Sequence, residues 1–394
     1  MRNGFRLFVA AALGMAACAW TARAGEGDRV TFETLDGVTL EGTFFKADPQ
    51  NGAKDKSATV LLLHNIDKAK GGSSHQDGWD DLAKKLSAEG YSVLSFDFRG
   101  FGKSHEVSKD FWDPFKGRHN CLAMPTLARQ KPPPTTIDHK DFDGHSSEYY
   151  PWLVNDIVAA KSFLDRKTDQ GQANSSNLVL VGAGEGATLG AMWMASQWDL
   201  KRFGGIDQKT GKLLLDEPEG RDEAGALWLT ISPELGSRGM SGTSRRWLCD
   251  IAADNNVPMA FLFGAKDDSG GTIAKEAMDR IANQIRRDNP NMKDEALKAK
   301  IGAIAISRGV GGDSKLTGSQ LLGLDGIQDD IVKGVGELID KRGPREARSH
   351  TVRIEDQYYW TFPNMVRPLP AKTNLDQNIQ LMPADKFIMA TSGE

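Results

Sequence analysis

Two hydrophobic periods alternate along the chain. Short runs dominated by apolar residues occur at 58–63, 91–96, 178–181, 227–231, 257–263 and 301–306. Runs of this length suit strands buried on both faces of a parallel sheet. Between them, apolar residues recur every three or four positions, the period of a helix packed on one side. Such stretches lie at 76–89 (Trp79, Leu82, Leu86), 149–167 (Leu153, Ile157, Ala160, Phe163, Leu164), 272–287 and 320–341. The start differs. Val30, Phe32 and Leu35 alternate with polar neighbours, Asp36-Gly37 follows, and 38–47 reads as a second strand. That is a β-hairpin signal, because Asp-Gly accepts the positive φ of a tight turn. Strands alternating with helices predict an α/β protein with a doubly wound, mostly parallel sheet, opened by an antiparallel hairpin.

Three stretches break the rhythm. Residues 105–147 lack a period and contain Lys131-Pro132-Pro133-Pro134. A loop this long within a domain reads as a cap insertion. Residues 197–224 are polar and rich in turn formers, and 342–394 form a C-terminal extension with short strands at its aromatic stretches, 358–362 and 387–389. The domain proper is therefore expected over 25–341.

Composition adds a compartment and removes a function class. Arg2 and Arg6 precede an apolar run at 7–20, and Ala22-Arg23-Ala24 offers a small-x-small cleavage site. This pattern predicts a signal peptide over 1–24 and export to the periplasm or outside the cell. Lipid attachment at Cys18 is a lesser alternative. Losing Arg2, Arg6 and Arg23 leaves 46 basic against 53 acidic residues, a net charge of −7. An acidic exported protein is a poor non-specific ligand for nucleic acid. After cleavage Cys121 and Cys249 remain. Export permits a bridge between them, but two distant cysteines are no disulfide framework.

The candidate chemistry centres on 177–191, Asn-Leu-Val-Leu-Val-Gly-Ala-Gly-Glu-Gly-Ala-Thr-Leu-Gly-Ala. It reads as strand, glycine-packed turn and helix, the order of a nucleophile elbow. With His64-Asn65 after one strand, Asp97-x-Arg99-Gly100-x-Gly102-x-Ser104 after the next and Gly264-x-x-Asp267 after a later one, the chain resembles the α/β-hydrolase fold superfamily over about 29–341. The resemblance is to its esterase-like and peptidase-like branch. It implies an oxyanion loop at His64, Asn65 and Ile66, a nucleophile at 184, an amide donor at Glu185, a triad acid at Asp267 and a histidine just after the last strand.

The departures are as informative. Position 184 is glycine, no histidine stands in 307–313, and Asn65 replaces the glycine of the family's His-Gly. A Ser-His-Asp mechanism needs a nucleophile, a base and an acid that orients the base. Of that set only Asp267 remains, and a turn or capping role suits it. Glu185 is either a substitute nucleophile or a first-turn residue favoured by the helix dipole. Asp97 and Arg99 read as structural, Arg99 bonding loop carbonyls, and His64 as a buried structural ring. The alternating His139, Asp141, Asp143 and His145 are either a metal set or, as the surroundings favour, a solvated loop. A serine at 184 is expected to fit.

Two functional readings follow. The first is an exported α/β-hydrolase-fold protein that has lost serine-hydrolase chemistry and binds a small molecule or an envelope partner in a pocket beneath the cap. The second is an active ester or peptide hydrolase working through Glu185 or a cap residue (His119, Cys121, His139, His145). A weaker third places an envelope-interaction function in 342–394. No cofactor or metal, no nucleic acid and no membrane span beyond the signal peptide is expected.

Overall fold

Eight strands form the central sheet: β1 (Asp28–Glu33), β2 (Thr39–Phe45), β3 (Thr59–Leu63), β4 (Ser92–Phe96), β5 (Leu178–Ala183), β8 (Glu223–Ile231), β11 (Met259–Gly264) and β12 (Ala305–Val310). Their spatial order is β1-β2-β4-β3-β5-β8-β11-β12. β2 is antiparallel to both β1 and β4, while β4, β3, β5, β8, β11 and β12 pair in parallel. The computed structural model describes residues 26–34, 36–48, 57–67, 71–112, 125–142, 153–199, 201–206, 209, 213–218, 222–232, 234–235, 238–239, 249, 251–343, 345–347, 358–362, 365–367 and 380–383. The expected signal peptide, Cys18, His119, Cys121, Asp143, His145 and the aromatic stretch at 387–389 lie outside these residues.

Helices cover both faces of the sheet. Along β3, Leu61 and Leu63 join one core, and Val60 and Leu62 join the other, as the two-residue period of a strand requires. The first face packs on α2 (Val154–Asp169), α3 (Gly184–Asp199) and α4 (Asp268–Asp288) through Ile157, Ala160, Leu164, Ala187, Trp193 and Ile281. The second packs on α1 (Trp79–Ala88) and α6 (Ile327–Arg342) through Leu82, Leu86, Ile331, Val335 and Leu338. Both-face burial explains why β3, β4 and β5 are buried at every position.

Several expected elements are displaced. Apolar residues at 301–306 do not form a strand; α5 (Asp294–Ile304) takes most of them, and β12 begins only at Ala305. A run of six apolar residues fits a buried helix end as well as a strand. The expected helix at 320–341 is broken: a 3-10 turn covers Gly318–Gly323, and α6 starts after Gly326, which has φ +74°. The turn-rich stretch 197–224 contains a hairpin, β6 (Lys201–Ile206) against β7 (Leu213–Pro218). Short ladder strands β9 (Glu234–Leu235) and β10 (Arg238–Gly239) follow β8. The described part of the cap holds single helical turns at Lys109–Trp112, Pro125–Ala128 and His139–Phe142. In the C-terminal extension β13 (Tyr358–Phe362) lies between β14 (Met365–Arg367) and β15 (Gln380–Pro383) in a separate antiparallel sheet.

The entry hairpin is held by ions. Arg99, on the turn after β4, is fully buried. Its guanidinium bonds Asp36 Oδ2 at 2.6 Å and Oδ1 at 3.1 Å, and Asp156 Oδ1 at 2.7 Å through Nε. The Arg99 amide adds a bond to Asp156 Oδ2 at 2.9 Å. Among the described residues the side-chain partners of Arg99 are these two carboxylates. One guanidinium serves two buried acids, so their protonation diverges. Burial pushes both carboxyls up. Arg99 and nearby hydrogen bonds outweigh burial at Asp36 and leave it below its ordinary value. At Asp156 burial wins, and the pKa is raised to about 6.

Candidate functional site

β5 runs straight into α3 at Ala183-Gly184, where a turn this tight needs close approach. A β-carbon on Gly182 would stand 2.8 Å from Ala187 Cα, and one on Gly186 would stand 2.1 Å from the His64 carbonyl oxygen. Both positions are therefore glycine for packing. Gly184 itself has φ +53°, the strained conformation an elbow imposes on its central residue. The elbow is built; its side chain is missing.

Asn65 fills the space. Its Oδ1 lies 1.8 Å from the point where a β-carbon on Gly184 would be, and its Cγ lies 2.8 Å from it. That point lies along a Cα–H bond of Gly184, so the oxygen receives a weak Cα–H···O contact. Asn65 Oδ1 is buried and has no conventional hydrogen-bond donor. A serine at 184, expected from the resemblance to fit, collides with Asn65 as it stands. The third member of the cluster is Gly318, in the loop after β12. A β-carbon there would lie 3.6 Å from Asn65 Cγ and 3.7 Å from the Gly184 nitrogen. The loop from the last strand thus reaches the elbow, and presents a glycine with φ +56°. The sequence did not single out Gly318, because the misplaced last strand put the candidate histidine segment too early.

His64 is fixed as a neutral ring. Its Nε2 accepts from the Phe98 amide at 3.2 Å, which leaves the proton on Nδ1 to be donated to the Asn65 carbonyl oxygen at 2.7 Å. Burial holds its pKa below the ordinary histidine value, against the pull of Asp97. Both nitrogens are committed, and the ring orients the Asn65 backbone. Ile66 is buried beside it. Asp97 is structural too: Oδ1 accepts from the Ser74 amide at 2.7 Å and Oδ2 from the Lys103 amide at 2.9 Å.

Glu185 falls in the first turn of α3. Asp267 is the N-cap of α4, its Oδ1 accepting from the Gly270 amide at 3.0 Å. Its Oδ2 is buried without a donor. Between Asp267 and the elbow stands the end of β8, where Thr230 takes φ +43° and Ile231 bridges Gly184. The structure therefore brings Gly184, Asn65 and Gly318 together and sets Asp267 one strand further on, beyond β8. His139 stacks on Phe101 with centroids 5.0 Å apart, its Nδ1 is 3.1 Å from Asp138, and its Nε2 is buried without a hydrogen-bond partner. The 3-10 turn separates it from Asp141, whose Oδ2 caps the Asp138 amide at 2.7 Å. Among the described residues there is no group of three metal-type side chains, and no helix is long and apolar enough to cross a membrane. The Cys249 thiol is buried and donates to the Ala277 carbonyl oxygen at 3.9 Å.

A cavity of about 580 Å³ opens between the amino ends of α1 and α6. Asp77, Asp81, Leu316, Gln320, Leu324 and Gln328 line it; His64, Asn65 and Ile66 do not. Its wall includes the turn that starts at Gly318, tied to the segment just before α1 by the Ser319 hydroxyl donating to Asp77 Oδ2.

The sheet order, the antiparallel β2 near its start and the strand-to-helix elbow are those of the α/β-hydrolase fold. No protein-family model and no curated protein matches the chain. Similar solved structures include an esterase of Pyrococcus furiosus, at 16% identity over 80% of this chain and 91% of that one with a TM-score of 0.44. A lid-less serine hydrolase of Xanthomonas campestris gives 12% identity over 82% and 97%, TM-score 0.41. An esterase structure from Rhizomucor miehei gives 12% over 80% and 85%, TM-score 0.43. Strand order and elbow, rather than these superpositions, define the fold.

Proposed function

We propose that this is an exported α/β-hydrolase-fold protein without serine-hydrolase chemistry, whose carboxyl sheet edge binds a small molecule or an envelope partner. One observation carries the reading: Asn65 Oδ1 occupies the volume of a nucleophile side chain at Gly184. An acyl transfer needs an atom there to attack and a base to take its proton. Where the loop after β12 meets the elbow it supplies neither, since Gly318 has no side chain. Asp267 keeps a capping role that needs no histidine. The cavity lined by Asp77, Gln320 and Gln328 offers polar groups and a volume within the range of small-molecule sites.

The test is a turnover assay with short acyl nitrophenyl esters and aminoacyl amides, run beside Glu185→Ala. The expected result is no difference between the two proteins and only background hydrolysis. Turnover that disappears in Glu185→Ala establishes the active-hydrolase reading instead.

A further inference from the structure

The cavity between the amino ends of α1 and α6 has a distinct charge pattern. Three carboxylates line it: Asp77 just before α1, Asp81 in the first turn of α1, and Asp325 just before α6. Lys85 shares the wall, but its Nζ lies 2.6 Å from Asp329 Oδ1, and Asp329 is not a lining residue. That charge is matched outside the cavity. Lys84 reaches Asp81 only at 4.0 Å, on an exposed surface where an ion pair is weak. The two helix starts also contribute, each with a glycine N-cap and no side-chain cap. Two helix ends supply about one positive unit in all. Against three carboxylates this leaves negative charge in excess, so the cavity favours a cation.

The layout of the charge decides which cation. A metal ion needs its ligands to converge on one point. Among the described residues no three acid, histidine or cysteine side chains do so. The acids are therefore dispersed round a wall that encloses about 580 Å³. The Ser319 hydroxyl holds one of them in place by donating to Asp77 Oδ2, and the carboxylate keeps further acceptor sites. Leu316 and Leu324 give the same wall an apolar part. Leu316 is 38% exposed, the one large hydrophobic side chain among the described residues that lies so open. Dispersed carboxylates beside an apolar surface match a ligand whose cationic groups are separated by methylenes. Covering the leucines with those methylenes removes apolar surface from water.

We propose that this cavity binds an aliphatic polyamine, its ammonium groups on Asp77, Asp81 and Asp325 and its methylene chain against Leu316 and Leu324. The proposal names the ligand class for the binding surface proposed above and rests on the binding part of that reading.

Calorimetric titration of the full chain with spermidine at low salt tests it. Spermidine should saturate one site. Asp81→Asn combined with Asp325→Asn should weaken binding about tenfold, roughly threefold for each exposed ion pair lost. Both positions are exposed, so the double variant should fold. Asp279→Asn combined with Asp294→Asn removes the same charge from exposed positions on α4 and α5. That control should change the affinity by less than about twofold. Hexaamminecobalt(III), a compact cation with the same charge and no methylene chain, should bind about tenfold more weakly than spermidine. Failure to saturate, undiminished affinity in the Asp81 and Asp325 variant, an equal loss in the control or equal binding of the cobalt ion overturns the proposal. The ester assay keeps the two readings apart. Spermidine binding by a chain that also turns over esters upholds the cavity and overturns the loss of hydrolase chemistry. Background turnover with no spermidine binding does the reverse.

Discussion

Asn65 Oδ1 and the α-carbon of Gly184 are in contact, with the amide oxygen 1.8 Å from the β-carbon position of residue 184. Each residue makes sense only with the other. A side chain at 184 displaces Asn65, and a smaller residue at 65 leaves the elbow open. Gly184→Ala should therefore destabilise the protein by about 2 kcal/mol or more, from the positive φ and the overlap together. Gly184→Ser combined with Asn65→Gly should recover part of that loss and still fail to hydrolyse esters, since the described neighbours of that position, Asn65 and Gly318, include no base. Urea unfolding and an ester assay check both halves.

Arg99 neutralises two buried carboxylates. Arg99→Met should cost about 3–5 kcal/mol, because removing one partner leaves buried acids uncompensated. Asp36→Asn and Asp156→Asn, added to Arg99→Met, should restore much of the stability. Denaturant midpoints of the single and triple variants measure it.

The pH dependence separates two buried groups of opposite sign. His64 has a lowered pKa, so its unfolded form takes up protons more readily, and stability is lost as pH falls through about 6.5. Asp156 has a raised pKa, so its native form holds a proton that the unfolded form releases. Stability from that source declines as pH rises from the ordinary aspartate range to about 6. Unfolding free energies at pH 4, 5 and 6 should climb more steeply with pH in Asp156→Asn than in the wild type. His64→Gln should flatten the rise between pH 5 and 7.

Asp267 caps α4 through the Gly270 amide. Asp267→Ala should lower stability by about 1 kcal/mol and leave ester turnover at background. A melting curve and the same assay decide it. A fall in turnover far beyond the loss of folded protein assigns Asp267 to catalysis instead.

How much of this was legible follows from the range of each signal. The apolar runs of β3 and β5 and the Asp36-Gly37 turn declare themselves within a few residues, because strand period and turn chemistry are local. Local signals failed where one pattern serves two elements, as at Ile301–Ile304, which belongs to α5. They failed again at β6 and β7, whose polar turn-rich sequence masks the pairing. That glycine stands at 184, where the resemblance implies a nucleophile, was readable; its physical meaning was not. That meaning lies in Asn65 and Gly318, brought to the elbow from the ends of two other strands, and no spacing along the chain announces such a meeting. The same holds for Arg99, whose acids stand 63 and 57 residues away.

The Arg99 ion network also sets an order of assembly. The entry hairpin emerges first during synthesis, but Asp36 has no cation until Arg99 is made, and Arg99 remains shared with an acid that comes 57 residues later still. Docking the hairpin before α2 exists would bury the Arg99 and Asp36 side chains with their network incomplete, an unfavourable state. The amino terminus therefore waits, loosely attached, for a helix near the middle of the chain. A nascent chain arrested before residue 156 should leave β1 and β2 open to protease, and one arrested well past α2 should protect them.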